Sequence, residues 1–534
     1  MRTAKVKVNF VKLLIGLFFI VTVILPFSRL LLNFDPGAWR AFFASRQSLA
    51  AIKNSLVLSC VATVISLALS FLLALCITRS KIRCKPLFTT ILTIPMLIPS
   101  ISHGMGLIVL LGANGVLTNL FHLNWNIYGF WGVVAGSVLY SFPVAFLMFM
   151  DSFKYENASP YEAATVLGIP KRRQFTAIMI PYIRRPLISI AFATFTLIVT
   201  DYGVPLIIGG QYTTLPVLMY QEVIGLLDFQ KGSVMGIILL VPAVIAFILD
   251  LVNKDHANDS FSPKPFDLKR NRGRDLASYL ACIAASVLVL APILAFVLLT
   301  FSKKYPMDMT FTMNHITQTL QMQGGLFLKN SVIISLSVAV IGVIAAFVTA
   351  YLTARIKSGS SRLLHLISIT SLAIPGIVLG LSYTLTFQKS WIYGTLGILV
   401  LVNLIHFFAS PYLLMYNALG KINTNIEDVG RTLGVGRLHL IFDVFLPQTK
   451  GTLLEMFSYF FVNSMMTISA VSFLANMENK PISLMITQFE AQSQIECAAL
   501  VSLAILLVNL LMKAVIHLLK RSKGDLKNAY QKAV

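Results

Sequence analysis

The sequence predicts an all-α, polytopic membrane protein of about twelve transmembrane helices, arranged as two repeated six-helix halves. Three observations carry that expectation. Hydrophobic residues make up 57% of the 534 and charged residues only 12%, against about 25% charged in soluble globular proteins. Apolar runs of roughly 18–25 residues recur from end to end, each long enough to cross a hydrocarbon core about 30 Å thick. The chain also repeats itself: "KNSLVLSCVATVISLALSFLLALCITR" at 53–79 aligns without gaps on "KNSVIISLSVAVIGVIAAFVTAYLTAR" at 329–355. The alternating ten-residue segments of a membrane barrel are missing.

Taken in order, the expected spans are 13–33, 52–77, 87–111, 128–150, 187–208, 233–252, 277–300, 330–354, 364–386, 394–416, 452–474 and 495–519. The first, from about Leu13 to Leu32, lacks a small-residue cleavage site and reads as a retained helix rather than a signal peptide. With the N-terminus inside, the inner segments collect about three-quarters of the 43 Lys and Arg, the bias expected of cytoplasmic loops. Both termini are then cytoplasmic. The same bias accounts for the net charge of +22 without calling on nucleic acid. The five cysteines (Cys60, Cys76, Cys84, Cys282, Cys497) lie mostly in or beside apolar segments with no CxxC spacing, as packing residues do.

One long polar run, "KDHANDSFSPKPFDLKRNRGRD", separates spans six and seven. It divides the chain into a first half (1–253), a cytoplasmic linker (254–276) and a second half (277–534). The repeat continues at the same offset through Ile98-Pro99 and Ile374-Pro375, and Gly104 and Gly380. "YGFWG" at 128 then answers "YGTLG" at 393. An even number of spans separates the copies, so they share one topology and are related by an axis along the membrane normal.

Each half carries a polar insert on its inner side, at 151–186 and 417–451. Aligned on glycine, Glu162-Ala163-Ala164, Gly168, Ile178 and Ile180-Pro181 meet Asp428-Val429-Gly430, Gly434, Val444 and Leu446-Pro447. A short helix should begin near Pro160, with Glu162 complementing its N-terminus, and end at Gly168 in a left-handed cap. The alanines leave a low face for close approach. In the second copy Gly430 keeps that property, Val429 is bulkier, and Glu427 competes with Asp428 for the acidic position.

This pattern resembles the EAA motif (EAA, three residues, G, nine residues, I, one residue, LP) of the membrane subunits of bacterial ATP-binding-cassette importers. The resemblance covers the whole chain and suggests a fused, two-halves-in-one permease like those of the ferric-iron, thiamine, polyamine and phosphonate-type importers. It implies a permease in the bacterial inner membrane that forms a translocation pathway but is not itself an enzyme. It implies two copies of an ATP-binding subunit, docked on coupling helices that contain Glu162, Ala163, Ala164, Gly168, Asp428, Gly430 and Gly434. It also implies an extracytoplasmic solute-binding protein. The chain has no GxxxxGK[ST] loop, so ATP and Mg are expected on the partner. No metal-ligand cluster appears in the spacing. The substrate implied is a small organic solute or ferric iron. The alternative is an ion-coupled secondary transporter, which also uses twelve spans and a repeat but leaves the paired inserts unexplained.

Among residues at membrane depth, Asp201 in "TDYGVPLIIGG" is the clearest pathway or gate candidate, with Tyr202 beside it and Thr467 and Asn463 in the second half. A carboxylate there is costly unless paired, hydrated or facing a cavity. Capping of a helix break at Gly203-x-Pro205, or an ion pair, competes with a pathway role. His103 and His406 read as hydrogen-bonded packing residues, and Pro95, Pro99 and Pro375 as kinks.

Overall fold

A computed structural model describes residues 2–122, 125–253, 264–268, 270–356 and 358–533. Part of the expected linker, 254–263 and Lys269, lies outside the described residues. The chain is helical almost throughout. The one departure from an all-α fold among the described residues is a two-stranded antiparallel hairpin, Ser302–Lys304 with Asp308–Phe311.

Nine helices are long and apolar enough to span a membrane among the described residues, and two further pairs, bent by 110° and 52°, raise this to eleven if each is one span. The expected span at 452–474 falls just below that length. There the helix Lys450–Met466 has 17 residues, about 25 Å at 1.5 Å per residue, and ends where Thr467 turns extended (φ −66°, ψ 139°). Of the prolines read as kinks, Pro99 and Pro375 mark breaks, while Pro95 lies inside the helical segment Lys85–Leu97. Lys85–Leu97 stops before Ile98-Pro99, and a new helix starts at Ser100. In the repeat, Gly359–Ala373 and Gly376–Phe387 meet at 110° across Ile374-Pro375. Proline removes a donor and bars helical φ/ψ at the residue before it, so Ile98 is extended with ψ 150°.

Two compact units form. One comprises Gly37–Leu226 and Ile238–Met313, the other Met1–Pro36, Leu227–Ile237 and Asn314–Val534. They cut across the halves of the sequence, because each half's first span belongs to the unit that holds the rest of the other half. In the first unit, Arg46–Arg79 packs along Phe130–Lys154 through a stripe of small residues. Ser66 Oγ meets Ser141 Oγ at 2.7 Å, and Ser70 Oγ donates to the Phe142 carbonyl at 2.8 Å. Ala62 and Ala74 are fully buried on the same stripe. Small side chains let helices approach where lipid provides no hydrophobic drive. Arg272–Thr300 joins this unit, with Asp275 Oδ1 accepting from the Lys81 amide at 3.0 Å.

In the second unit, Gly324–Ala354 packs on Ala409–Gly420 and Lys450–Met466. Tyr412 Oη links Thr353 Oγ1 (2.8 Å) to His365 Nδ1 (2.7 Å). The first span, Asn9–Leu32, lies here. Tyr383 Oη donates to the Thr22 carbonyl at 2.7 Å, and Lys12 Nζ donates to Ser358 and Ser361. Large apolar side chains left outside both cores, such as Leu13, Val64, Leu288, Ile344 and Leu511, are the surface a bilayer would cover.

Candidate coupling inserts and pathway residues

The two inserts fold alike, element for element. The short helix Ser159–Val166 is answered by Ile426–Thr432, Lys171–Gln174 by Arg437–Leu440, and the π-helical turn Phe175–Met179 by Ile441–Phe445. Each wide turn runs into an Ile-Pro or Leu-Pro pair, Ile180-Pro181 or Leu446-Pro447, where proline cannot supply the ordinary i→i−4 bond.

Both short helices end as expected. Gly168 and Gly434 take φ +70°, and the next amide closes the end by reaching back five residues. Ile169 N–H donates to the Ala164 carbonyl at 2.9 Å and Val435 N–H to that of Gly430 at 2.8 Å, a Schellman closure. Ala164 and Gly430 face inward and are buried, while Ala163 is exposed. The glycine at 430 has a local cause. A Cβ there would lie 2.7 Å from Leu440 Cδ1, and the residue matching Leu440 in the first insert is Gln174, which instead donates to the Ile169 carbonyl at 2.8 Å. A larger residue on one side is matched by a smaller one on the other.

The acidic positions differ. Glu162 is half-exposed and pairs with Lys264 of the linker at 2.6 Å. Asp428 is largely exposed and approaches its own neighbour Arg431 at 3.4 Å. Glu427, which competed for that position in the sequence, is turned inward. Its carboxylate is held in a fork by Arg355, Nε to Oε1 at 2.7 Å and Nη2 to Oε2 at 2.5 Å. The same guanidinium donates to the carbonyls of Leu419, Ile422 and Asn423 at 3.2, 2.7 and 2.8 Å.

Arg355 closes the 329–355 repeat, and its counterpart Arg79 does similar work in the first half. Arg79 is paired with the buried Glu156, which also accepts from Tyr161 Oη. Burial, and then that carboxylate, push the Tyr161 phenol well above its ordinary range. These four residues, Arg79, Glu156, Arg355 and Glu427, were missed as a set in the sequence. The signal available was the arginine that ends both repeat copies.

The candidate pathway residues fall two to each unit, Asp201 and Tyr202 in one and Asn463 and Thr467 in the other. Asp201 sits in the break between Ile180–Val199 and Gly203–Ile208, and its carboxylate accepts from the Val204 amide at 3.0 Å and the Gly203 amide at 3.3 Å. The capping alternative therefore has direct geometric support. Tyr202 is fully buried and stacks on Tyr220 with centroids 4.9 Å apart. Thr467 is buried at the matching helix end, its carbonyl accepting from Ser483 Oγ at 2.7 Å. Asn463 is half-buried and donates back to the Tyr459 carbonyl at 2.7 Å. His103 Nδ1 lies 3.3 Å from the Ser100 carbonyl, as a packing histidine would. For Asp201→Ala, the loss of an end cap should cost about 1 kcal/mol. The check is a modest fall in melting temperature of the purified protein, largely restored in Asp201→Asn. A drop as large as that of a core deletion would show a further role.

No group of three or more His, Cys, Asp or Glu suited to a metal ion occurs among the described residues.

Comparison with known proteins agrees with this architecture. The family model described as the inner membrane component of binding-protein-dependent transport systems matches twice, over residues 50–254 and 339–524. A ferric transport system permease protein of Actinobacillus pleuropneumoniae is 25% identical over 452 residues, covering 80% of this chain, and the match spans 65% of that relative's length. A molybdenum transport system permease protein of Azotobacter vinelandii is 30% identical over 169 residues, 31% of this chain and 75% of its own. A thiamine transport system permease protein of Haemophilus influenzae is 26% identical over 218 residues, 40% of each. The chain belongs to the family of inner membrane components of binding-protein-dependent transport systems, and carries that family's domain twice.

Proposed function

We propose that this chain is the permease subunit of an ATP-binding-cassette importer, with both halves of the translocation pathway on one polypeptide. The observation that carries this is the pair of matched inserts, each ending in a left-handed glycine and each presenting an exposed leucine, Leu167 or Leu433. An ATP-binding subunit would dock on each, giving two copies per permease, and would bind and hydrolyse ATP with Mg. Glu162, Ala163, Ala164, Gly168, Asp428, Gly430 and Gly434 shape the two docking helices. Both inserts and both termini then face the cytoplasm, which fits the placement of the basic segments.

The substrate would reach the outer side on a solute-binding protein. Ferric iron moves ahead of a thiamine-, polyamine- or phosphonate-type solute, since similarity to ferric permeases extends over 80% of the chain and similarity to thiamine permeases over 40%. Asp201, Tyr202, Thr467 and Asn463 border helix ends or sit on half-buried faces. Of these, Asn463 is the one whose side chain is neither capping a break nor fully enclosed.

The test is reconstitution of the chain in proteoliposomes with its ATP-binding subunit and solute-binding protein, following radiolabelled ferric iron and thiamine in parallel. Uptake of one that requires ATP, the binding protein and both inserts supports the reading. Uptake driven by an ion gradient without an ATPase would overturn it.

A further inference from the structure

The linker that fuses the halves does not simply pass the first insert. Residues 264–268 return onto it and bond at three levels. The Ala158 amide donates to the Lys264 carbonyl at 3.0 Å, and the Lys264 amide donates to Asn157 Oδ1 at 3.3 Å. Lys264 Nζ reaches Glu162 at 2.6 Å. Phe266 lies under the Arg79 guanidinium, 3.2 Å from ring centroid to Cζ, and against Tyr161 with ring centroids 5.2 Å apart. A cleft of about 520 Å³ under this segment is lined by Arg79, Asp151, Phe153, Glu156, Phe266 and Leu268.

Comparison of the two arginines gives this arrangement its meaning. Arg355 satisfies its guanidinium within its own half, using Glu427 and the three carbonyls of the 419–423 turn. Arg79 has one carboxylate partner, and its Nε is buried without an acceptor among the described residues. The planar cation is completed instead by the face of Phe266, a cation–π contact that strengthens as water is excluded. The linker thus does for the first insert what a turn of the same half does for the second. It also places Lys264 on the solvent side, so that the Glu162 charge is met by the linker, whereas among the described residues Asp428 is met by its helix neighbour Arg431.

We propose that the first ATPase-docking face is composite, built from the helix Ser159–Val166 together with linker residues Lys264–Leu268, while the second is formed by its insert alone. The proposal rests on the docking role argued above. It makes the two contacts chemically different. The partner meets a neutralised Glu–Lys pair beside an ordered helix at the first site, and an exposed acid on a self-sufficient helix at the second.

The test uses the full chain, with Phe266→Ala and, as a surface variant that should fold normally, Lys264→Glu. Hydrogen exchange of the permease without its partner should become several-fold faster in 156–169 and stay unchanged in 422–435. A photo-crosslinking residue at Val166 should lose about tenfold in yield to the ATP-binding subunit in both variants, and one at Leu433 should lose none. Combining Lys264→Glu with Glu162→Lys should restore the Val166 yield. Unchanged exchange in 156–169, or unchanged crosslinking at Val166, overturns the proposal. Absence of crosslinking at both positions in the unaltered chain would count against the importer reading itself, leaving exchange to judge the linker's contact.

Discussion

Arg355→Ala is expected to remove about 3–5 kcal/mol of stability, because it strands a carboxylate that the fold has taken out of water. The Arg355 side chain is 4% exposed and that of Glu427 19%. The alanine loses the fork to Glu427 and leaves the carbonyls of Leu419, Ile422 and Asn423 without their donor. Arg355→Lys should recover only part of this, since an ammonium cannot make the planar two-pronged contact. Glu427→Gln, which keeps shape and removes charge, should be milder than either arginine variant. Thermal melting of the detergent-purified protein, read with its monodisperse yield, checks the order Ala, then Lys, then Gln, from worst to mildest. Equal melting for all three would mean that the second insert is held by something other than this ion pair.

The second large effect is expected without any loss of fold. Leu167 and Leu433 occupy matching places at the ends of the two short helices, 75% and 73% exposed, directly before the left-handed glycines. Surface changes away from packed features usually move stability by no more than about 0.5 kcal/mol, so Leu167→Asp and Leu433→Asp should melt with the parent protein. A buried apolar anchor in a protein interface is another matter, and its loss commonly costs 2 kcal/mol or more. Each variant should therefore retain at least tenfold less ATP-binding subunit on co-purification, a change of about 1.4 kcal/mol. The double variant should lose ATP-dependent uptake altogether. Full retention of the ATPase by the double variant would remove the inserts from the coupling path.

Much of this molecule could be read from its residues because its strongest signals are local. The apolar runs located a helix at every expected span, and the doubled Gly168 and Gly434 announced two helix ends that need positive φ. Hydropathy counts apolar length and is blind to direction, so a 110° bend at Ile374-Pro375 looked like a continuous span. The inward turn of Glu427 was hidden for another reason. Adjacent carboxylates on one helix differ only in which neighbour reaches them, and Arg355 is 72 residues away. Asp201 stood out by cost alone, and cost does not say whether a carboxylate is answered by substrate or by two backbone amides. The linker read as a spacer because its composition is that of one. Nothing in "SPKPFDL" indicates that Phe266 will lie on Arg79.

The exchange of first spans has a consequence for synthesis. Thr22 and its partner Tyr383 are 361 residues apart. At about 5–20 residues per second of translation, the first helix must wait roughly 20–70 s in the bilayer before the tyrosine that bonds it has been made. Throughout that interval it is an apolar segment without its mate, open to capture by the insertion machinery, by a second nascent chain or by a membrane protease. The pace of translation over those 361 residues therefore bears on the yield of this permease.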